Sequence, residues 1–304
     1  MKTLVFGSVN IDRTYSVPHF VNAGETLSCT KMETFSGGKG FNQAVALARA
    51  GCDVYFAGAI GDDGQFLKDH LAADHINVDF LQQVSGPTGH AVIQVTPSGQ
   101  NCIIIFPGAN ASITTAYIDS VIESFAEGDM LVLQNEIPHI DYIMKVAHDK
   151  GIIVALNPSP FNEKIAACDL NDVDYLIVNE IEGELIAGKS DYKEIIQTLH
   201  ERYPNTNVLM TLGSNGSIFY GRNDETASCG IYTVNAIDTT AAGDTFLGYF
   251  LGSISQGECL QEALERAAIA GGIAVSRKGA APSIPAFEEV NRADRTRLKP
   301  YCTD

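Results

Sequence analysis

Positive charge is scarce in this 304-residue chain: 20 Lys and Arg stand against 37 Asp and Glu, a formal net charge of −17, with no Lys/Arg run. A surface of that sign repels polyanions, which excludes general binding to nucleic acid or to anionic membrane. Any phosphate ligand has to be held by a small local device. Long apolar runs are missing too. Stretches such as residues 102–106 and 152–156 fall far short of the roughly 18 to 20 residues that cross a bilayer, so no transmembrane helix is expected. The N-terminal run 4–6 is broken by Gly7, Ser8, Asn10 and Asp12 before a signal-peptide core of about 7 residues can form. The chain therefore reads as made and kept in the cytoplasm. Its seven cysteines, Cys29, Cys52, Cys102, Cys168, Cys229, Cys259 and Cys302, are scattered, without a CxxC pair or a histidine at zinc-ligand spacing. They read as reduced packing residues. Also absent are the P-loop string, GxGxxG after a strand, HEXXH and GxSxG, which removes P-loop and Rossmann dinucleotide proteins by signature.

What is present is a globular mix, 45% apolar and 19% charged, far from the composition of chains that stay unfolded. The length allows about two average domains, although α/β sheets of this size often run as one. Runs at 3–7, 54–58, 130–133, 152–156, 175–178 and 208–212 are apolar enough for strands covered on both faces. Between them, 41–50 closed by Gly51 and 138–150 closed by Gly151 carry helix punctuation. The implied fold class is α/β, a mostly parallel sheet sandwiched by helices in three layers. Two stretches break the alternation, 13–35 and 88–106; in the second, 91–95 and 101–106 flank Pro97-Ser98-Gly99 as a hairpin. They predict extra strands set apart as a cover. One domain over 1–304 is expected, with lid segments near 12–35 and 88–106.

The most informative string is Asp238-Thr239-Thr240-Ala241-Ala242-Gly243-Asp244-Thr245-Phe246, which enters a helix read over 246–253. At a helix N-terminus about four N–H groups lack an internal partner and the macrodipole adds partial positive charge. Small residues leave those groups bare, so Ala241, Ala242, Gly243 and Asp244 form a candidate anion hole for a phosphate in flight. Asp244 is placed to take a proton from a hydroxyl held in line with that phosphate; the plain alternative is that it caps the helix. A second string, Ser36-Gly37-Gly38-Lys39-Gly40-Phe41-Asn42-Gln43-Ala44, also runs into a helix. Its glycines permit close approach of a ligand, and Lys39 and Asn42 supply donors, unless it is only a glycine turn. In Gly7-Ser8-Val9-Asn10-Ile11-Asp12, Asn10 and Asp12 can both face sugar hydroxyls or make an ordinary turn. Glu136, Asn179 with Glu182, and the loop 211–216 follow strands. Ligands of open α/β sheets bind outside the carboxyl ends of strands, so these residues converge on one edge, unless each merely caps a helix or solvates a loop.

Together the strings over 7–12, 37–42, 179–182 and 238–244 resemble, in order, the ribokinase family of carbohydrate kinases. Ala155-Leu156-Asn157-Pro158, Pro107-Gly108-Ala109-Asn110 and Arg277-Lys278-Gly279-Ala280-Ala281-Pro282-Ser283 fit the same pattern, and the resemblance runs from residue 3 to about residue 287. It implies a three-layer α/β/α sandwich with a small β-sheet lid, and transfer of the γ-phosphoryl group of ATP to the 5-hydroxyl of D-ribose. It implies that Asn10, Asp12, Gly38, Lys39, Asn42 and Glu136 hold the sugar, that Asp244 is the base, and that Ala241, Ala242 and Gly243 form the anion hole. Asn179 and Glu182 would order Mg²⁺ and its waters near the phosphates. Thr211, Gly213 and Gly216 would run along the nucleotide, and Ala268 would stand beside adenine where many members carry a polar His or Asn. A potassium ion is implied at Asp238, Thr240, Ala274, Arg277, Gly279 and Ser283, mostly through carbonyl oxygens, and a homodimer through the lid. Two rivals stay open. One is a kinase of the same family for deoxyribose, fructose or a ribonucleoside, with Asp12 as the suspected reader of ring hydroxyls. The other is a non-catalytic sugar or nucleotide sensor on the same fold.

Overall fold

A computed structural model describes residues 1–301; Cys302, counted above with the packing cysteines, lies outside the described residues. The strands in chain order are β1 (Lys2–Phe6), β2 (Asn10–Ser16), β3 (Lys31–Gly37), β4 (Asp53–Ile60), β5 (Leu81–Gln83), β6 (Gly89–Val95), β7 (Asn101–Phe106), β8 (Met130–Gln134), β9 (Ile153–Asn157), β10 (Tyr175–Asn179), β11 (Asn207–Thr211), β12 (Ser217–Tyr220) and β13 (Thr226–Cys229). The large sheet runs β13-β12-β11-β10-β9-β8-β1-β4-β5. Its pairs from β11 to β5 are all parallel, while β12 and β13 add antiparallel pairs at one edge. The strands read from apolar runs all lie here, within two residues of the expected bounds.

The runs are apolar because both faces of the sheet are covered. Leu4, Phe6, Leu131, Leu133, Leu176 and Val178 enter one core cluster, and the residues between them, Val5, Val132 and Ile177, enter the other, the alternation a pleated strand imposes. Helices Lys39–Arg49, Gln65–Ala73, Ala242–Ser255 and Leu260–Val275 bury their apolar faces in one cluster; Thr115–Ile122, Ile140–Asp149, Glu180–Ala187 and Tyr192–Arg202 close the other. Three helix starts differ from the sequence reading. The first helix begins at Lys39, behind Gly38 at φ 92°. Pro138 stays outside its helix because His139 at the cap is left-handed, and the helix begins at Ile140. The third begins at Ala242 instead of residue 246, because Ala241 at φ 59° turns the chain in one turn earlier.

The off-pattern segments form a second sheet, β3-β2-β6-β7. It springs from the site edge of the large sheet: Asn10 pairs with Gly37 on one side and with Gly89 on the other. Every residue of its edge strand β7 is exposed. Cysteine chemistry departs from expectation in part. The six described cysteines are free thiols, but Cys29, Cys102 and Cys259 are exposed and only Cys229 is buried. Their places on the lid, in a loop and at a helix cap give them no core to pack into.

Candidate active site

Asn10 and Asp12 lie two apart on β2, so their side chains leave the same face. Asn10 is buried, and its Oδ1 accepts from Asn110 Nδ2 at 2.8 Å. Asn110 is fixed in turn by the Val9 N–H at 3.0 Å and the Val9 carbonyl at 3.1 Å. Asp12 lies directly over Gly37, where a Cβ would stand 1.9 Å from Oδ2; any side chain at residue 37 displaces the carboxyl. Burial and the negative charge of Glu136 push the Asp12 carboxyl up to about 7. Glu136 accepts from the Ser8 hydroxyl and from the Lys39 N–H at 2.9 Å. Burial pulls the Lys39 ammonium down, but the carboxylates of Asp244, Glu136 and Glu182 outweigh it and hold the group above its ordinary value. The ammonium thus feels the charge of carboxylates from three separate elements.

Asp244 does not cap its helix. Ala241 stands at the cap without a side-chain bond, and the buried Asp244 carboxylate is engaged by another helix. Asn42 Nδ2 reaches Oδ2 at 3.2 Å and Gln43 Nε2 reaches Oδ1 at 2.9 Å. Among the described residues no acceptor takes the N–H groups of Gly243 or Asp244, and that of Ala242 reaches Thr239 O only at 3.3 Å. The turn therefore presents bare donors, as an anion site requires. Beside it opens a cavity of about 440 Å³ whose walls include Thr211, Gly213, Gly216, Ala242, Gly243 and Ala268, with Tyr232, Val234 and Phe246 as apolar lining. Gly216 is held at φ 99°, and a Cβ there would meet Cys229 O at 2.1 Å.

Asn179 and Glu182 form a capping box on Glu180–Ala187: Asn179 Oδ1 accepts from the Glu182 N–H at 2.9 Å, and Glu182 Oε2 from the Asn179 N–H at 3.1 Å. Neither lines the cavity. Among the described residues no three His, Cys, Asp or Glu side chains gather as a metal cage. On the other side of the anion-site string, Asp238 Oδ1 accepts from Thr240 N at 3.0 Å and Oγ1 at 2.6 Å, and Oδ2 from Gly279 N at 3.0 Å. Burial raises this carboxyl, but those bonds outweigh it and hold it below the usual range. Asp238, Thr240 and Gly279 are thereby brought together. The Arg277 guanidinium turns instead to Glu289 at 2.5 Å, the Ser283 hydroxyl donates to Ala280 O at 2.7 Å, and Ala274 O accepts from Arg277 N at 3.0 Å.

Ser8, Gln43 and Asn110 carry no role in the sequence reading, yet their side chains bond Glu136, Asp244 and Asn10, and Gln134 and Asn157 in turn bond Gln43. Ser8, Gln43, Asn110 and Asn157 stood inside the strings singled out above, and Gln134 directly follows the run 130–133; an amide bordering an apolar run was the available signal.

The pfkB family carbohydrate kinase model matches residues 2–286. The chain is 35% identical to the ribokinase of Schizosaccharomyces pombe, over 95% of this chain and 96% of that one. It is 36% identical to the ribokinase of Haemophilus influenzae, over 95% and 97%. Among solved structures, the ribokinase of Arabidopsis thaliana complexed with ribose and ATP superposes with a TM-score of 0.83 at 30% identity, covering 96% of this chain and 97% of that one. With that model matching residues 2–286 and these relatives 35% and 36% identical over nearly their whole length, the chain belongs to the pfkB family of carbohydrate kinases.

Proposed function

We propose that the protein is a ribokinase, transferring the γ-phosphoryl group of ATP to the 5-hydroxyl of D-ribose. The observation that carries this reading is Asp244: a buried carboxylate, gripped by Asn42 and Gln43, one residue beyond the cavity-lining Ala242 and Gly243, and sharing with Glu136 the charge of Lys39. Ribose lies against Asn10, Asp12, Gly38, Lys39, Asn42 and Glu136 with its 5-hydroxyl at Asp244. ATP fills the cavity, its base near Ala268 and its phosphates running past Thr211, Gly213 and Gly216 toward Gly243. Asp244 accepts the hydroxyl proton as that oxygen attacks phosphorus, and the N–H groups of the turn from Ala241 to Asp244, bare at Gly243 and Asp244, take up charge on the group in flight. No covalent enzyme intermediate is needed, because positioning and electrostatics supply the rate. Closure of the lid over the sugar excludes water.

Magnesium, when bound, neutralises phosphate charge. With no carboxylate cage among the described residues, the second oxygen of Glu182 and the side chain of Asn179 are the groups that would hold it through water. The potassium site is assigned to Asp238, Thr240 and Gly279 with the carbonyls of Ala274, Arg277 and Ser283. The Asp238 bond to Gly279 ties that loop to the anion-site string, which gives a bound cation a route to the turn at Ala241. The lid also offers an apolar edge, Ile103 to Phe106, with Ile104 63% exposed. Pairing of this edge with a second copy covers it and makes a homodimer; a single-chain mass in sedimentation at working concentration would sink that assignment. Cytoplasmic residence accords with the reduced cysteines.

ADP release with ATP and Mg²⁺, offering ribose, 2-deoxyribose, fructose and a ribonucleoside in turn, with and without potassium, tests the whole reading. Turnover should prefer ribose and rise with potassium. Preference for another acceptor discards the sugar-pocket assignment, and no turnover with any acceptor discards the kinase.

The sugar affinity should also follow pH. A carboxyl raised to about 7 is mostly protonated below that pH, whereas ring hydroxyls donate best to the ionised form. Binding is then complete above pH 7 and weakens as pH falls through it. The KM for ribose is expected about tenfold higher at pH 6 than at pH 8, and Asp12→Asn should flatten the profile. A wild-type KM that stays level across this range removes Asp12 as the hydroxyl acceptor.

A further inference from the structure

Gln43 is fully buried one residue beyond Asn42, and every polar group of its amide has a partner. Nε2 donates to Asp244 Oδ1 at 2.9 Å and to Asn157 Oδ1 at 3.4 Å, and Oε1 accepts from Gln134 Nε2 at 2.7 Å. Asn157 at the end of β9 is itself oriented, its Nδ2 donating to Ile177 O of β10 at 3.1 Å. Gln134 ends β8 and is equally buried. Room for it depends on Gly7, where a Cβ would stand 2.3 Å from Gln134 Oε1. An amide has one donor end and one acceptor end. Turning that of Gln43 over would set its carbonyl against the Asp244 carboxylate and against Asn157 Oδ1, and its NH₂ against that of Gln134. The chain from Gln134 through Gln43 to Asp244 therefore has a single direction.

The other oxygen of Asp244 has a different setting. Among the described residues Oδ2 meets only the Asn42 amide, at 3.2 Å. A carboxylate oxygen accepts more than one hydrogen bond, so Oδ2 keeps a place for the hydroxyl of a substrate while Oδ1 is taken by Gln43. We propose that Gln43, fixed by Gln134 and Asn157, is a positioning residue for phosphoryl transfer. It holds Oδ1 of Asp244 so that Oδ2 faces the acceptor hydroxyl. The inference rests on Asp244 being the base.

Gln43→Met keeps the length of the side chain and removes the amide. In the folded variant kcat is expected to fall about 10- to 100-fold, the scale of a misplaced catalytic group, with KM for ribose and for ATP within about threefold of wild type. In an Asp244→Ala background the same substitution should lower the residual rate no further, because its effect passes through the carboxylate. Wild-type kcat in folded Gln43→Met, or equal losses in both backgrounds, would overturn the proposal. Should Gln43→Met fail to fold, Gln134→Met carries the test, since that residue is bonded to Gln43 and not to Asp244. Its kcat should fall, and the fall should vanish once Asp244 is alanine; an unchanged kcat overturns the proposal as well. Full turnover in Asp244→Ala alone would instead sink the base, so the two failures are told apart by which variant stays active.

Discussion

Asp244→Ala is expected to cost about 10²- to 10⁴-fold in kcat, the range of a general base, while ribose still binds. The structure separates this outcome from a purely structural one. Had Asp244 capped its helix, its loss would appear as about 1 kcal/mol of stability with turnover intact. Its carboxylate instead accepts from Asn42 and Gln43 of a different helix, so truncation also leaves two buried donors without an acceptor, at about 1–3 kcal/mol. Some loss of thermal stability therefore accompanies the catalytic one. Asp244→Asn keeps the shape but removes the charge and the ability to take a proton, and turns an NH₂ toward one of the two amide donors; its kcat should fall as far. Titration calorimetry with ribose and steady-state ADP release on both variants make the distinction. Turnover near wild type in either would end the assignment of the base.

Much of this site was legible because its chemistry is concentrated in short strings at strand ends. The parallel sheet follows from runs whose alternate residues feed two cores, and the lid from two segments that break that pattern. Other features lie beyond local spacing. That Asp244 leaves its own helix for Asn42 and Gln43 is a contact across about 200 residues of sequence, which no periodicity encodes. The early start of that helix depends on left-handed Ala241, a conformation uncommon outside glycine. Gln43 and Gln134 are buried and Asn157 half-buried, and only the fold shows that the three amides bond one another. In the opposite sense, Arg277 belongs to a recognisable string, yet its guanidinium pairs with Glu289 and leaves only its backbone for a cation.

Gly243→Val should leave the fold intact and cost about 10²- to 10³-fold in kcat/KM for ATP, the effect of losing an oxyanion-type donor. Gly216 and Gly243, two of the glycines that line the cavity, differ in why they are glycines. At Gly216 the backbone is left-handed and a Cβ collides with Cys229 O, so a side chain there damages the fold itself. At Gly243 the backbone is ordinary helix and a Cβ would meet nothing within 4 Å. Nothing in the free protein requires glycine there, and replacing it in a first helical turn should be neutral or stabilising by a few tenths of a kcal/mol. Gly243 lines the cavity, and among the described residues its N–H and that of Asp244 have no partner, so the proposed phosphate would approach through this gap. Two methyl groups in that space block the approach without touching Asp244 or the sugar pocket. Gly243→Ala should show a smaller loss in the same direction, since one methyl fills less of the gap. Unchanged melting temperature together with impaired ATP kinetics would locate the phosphate at this turn; wild-type ATP kinetics in Gly243→Val would remove the turn from the mechanism.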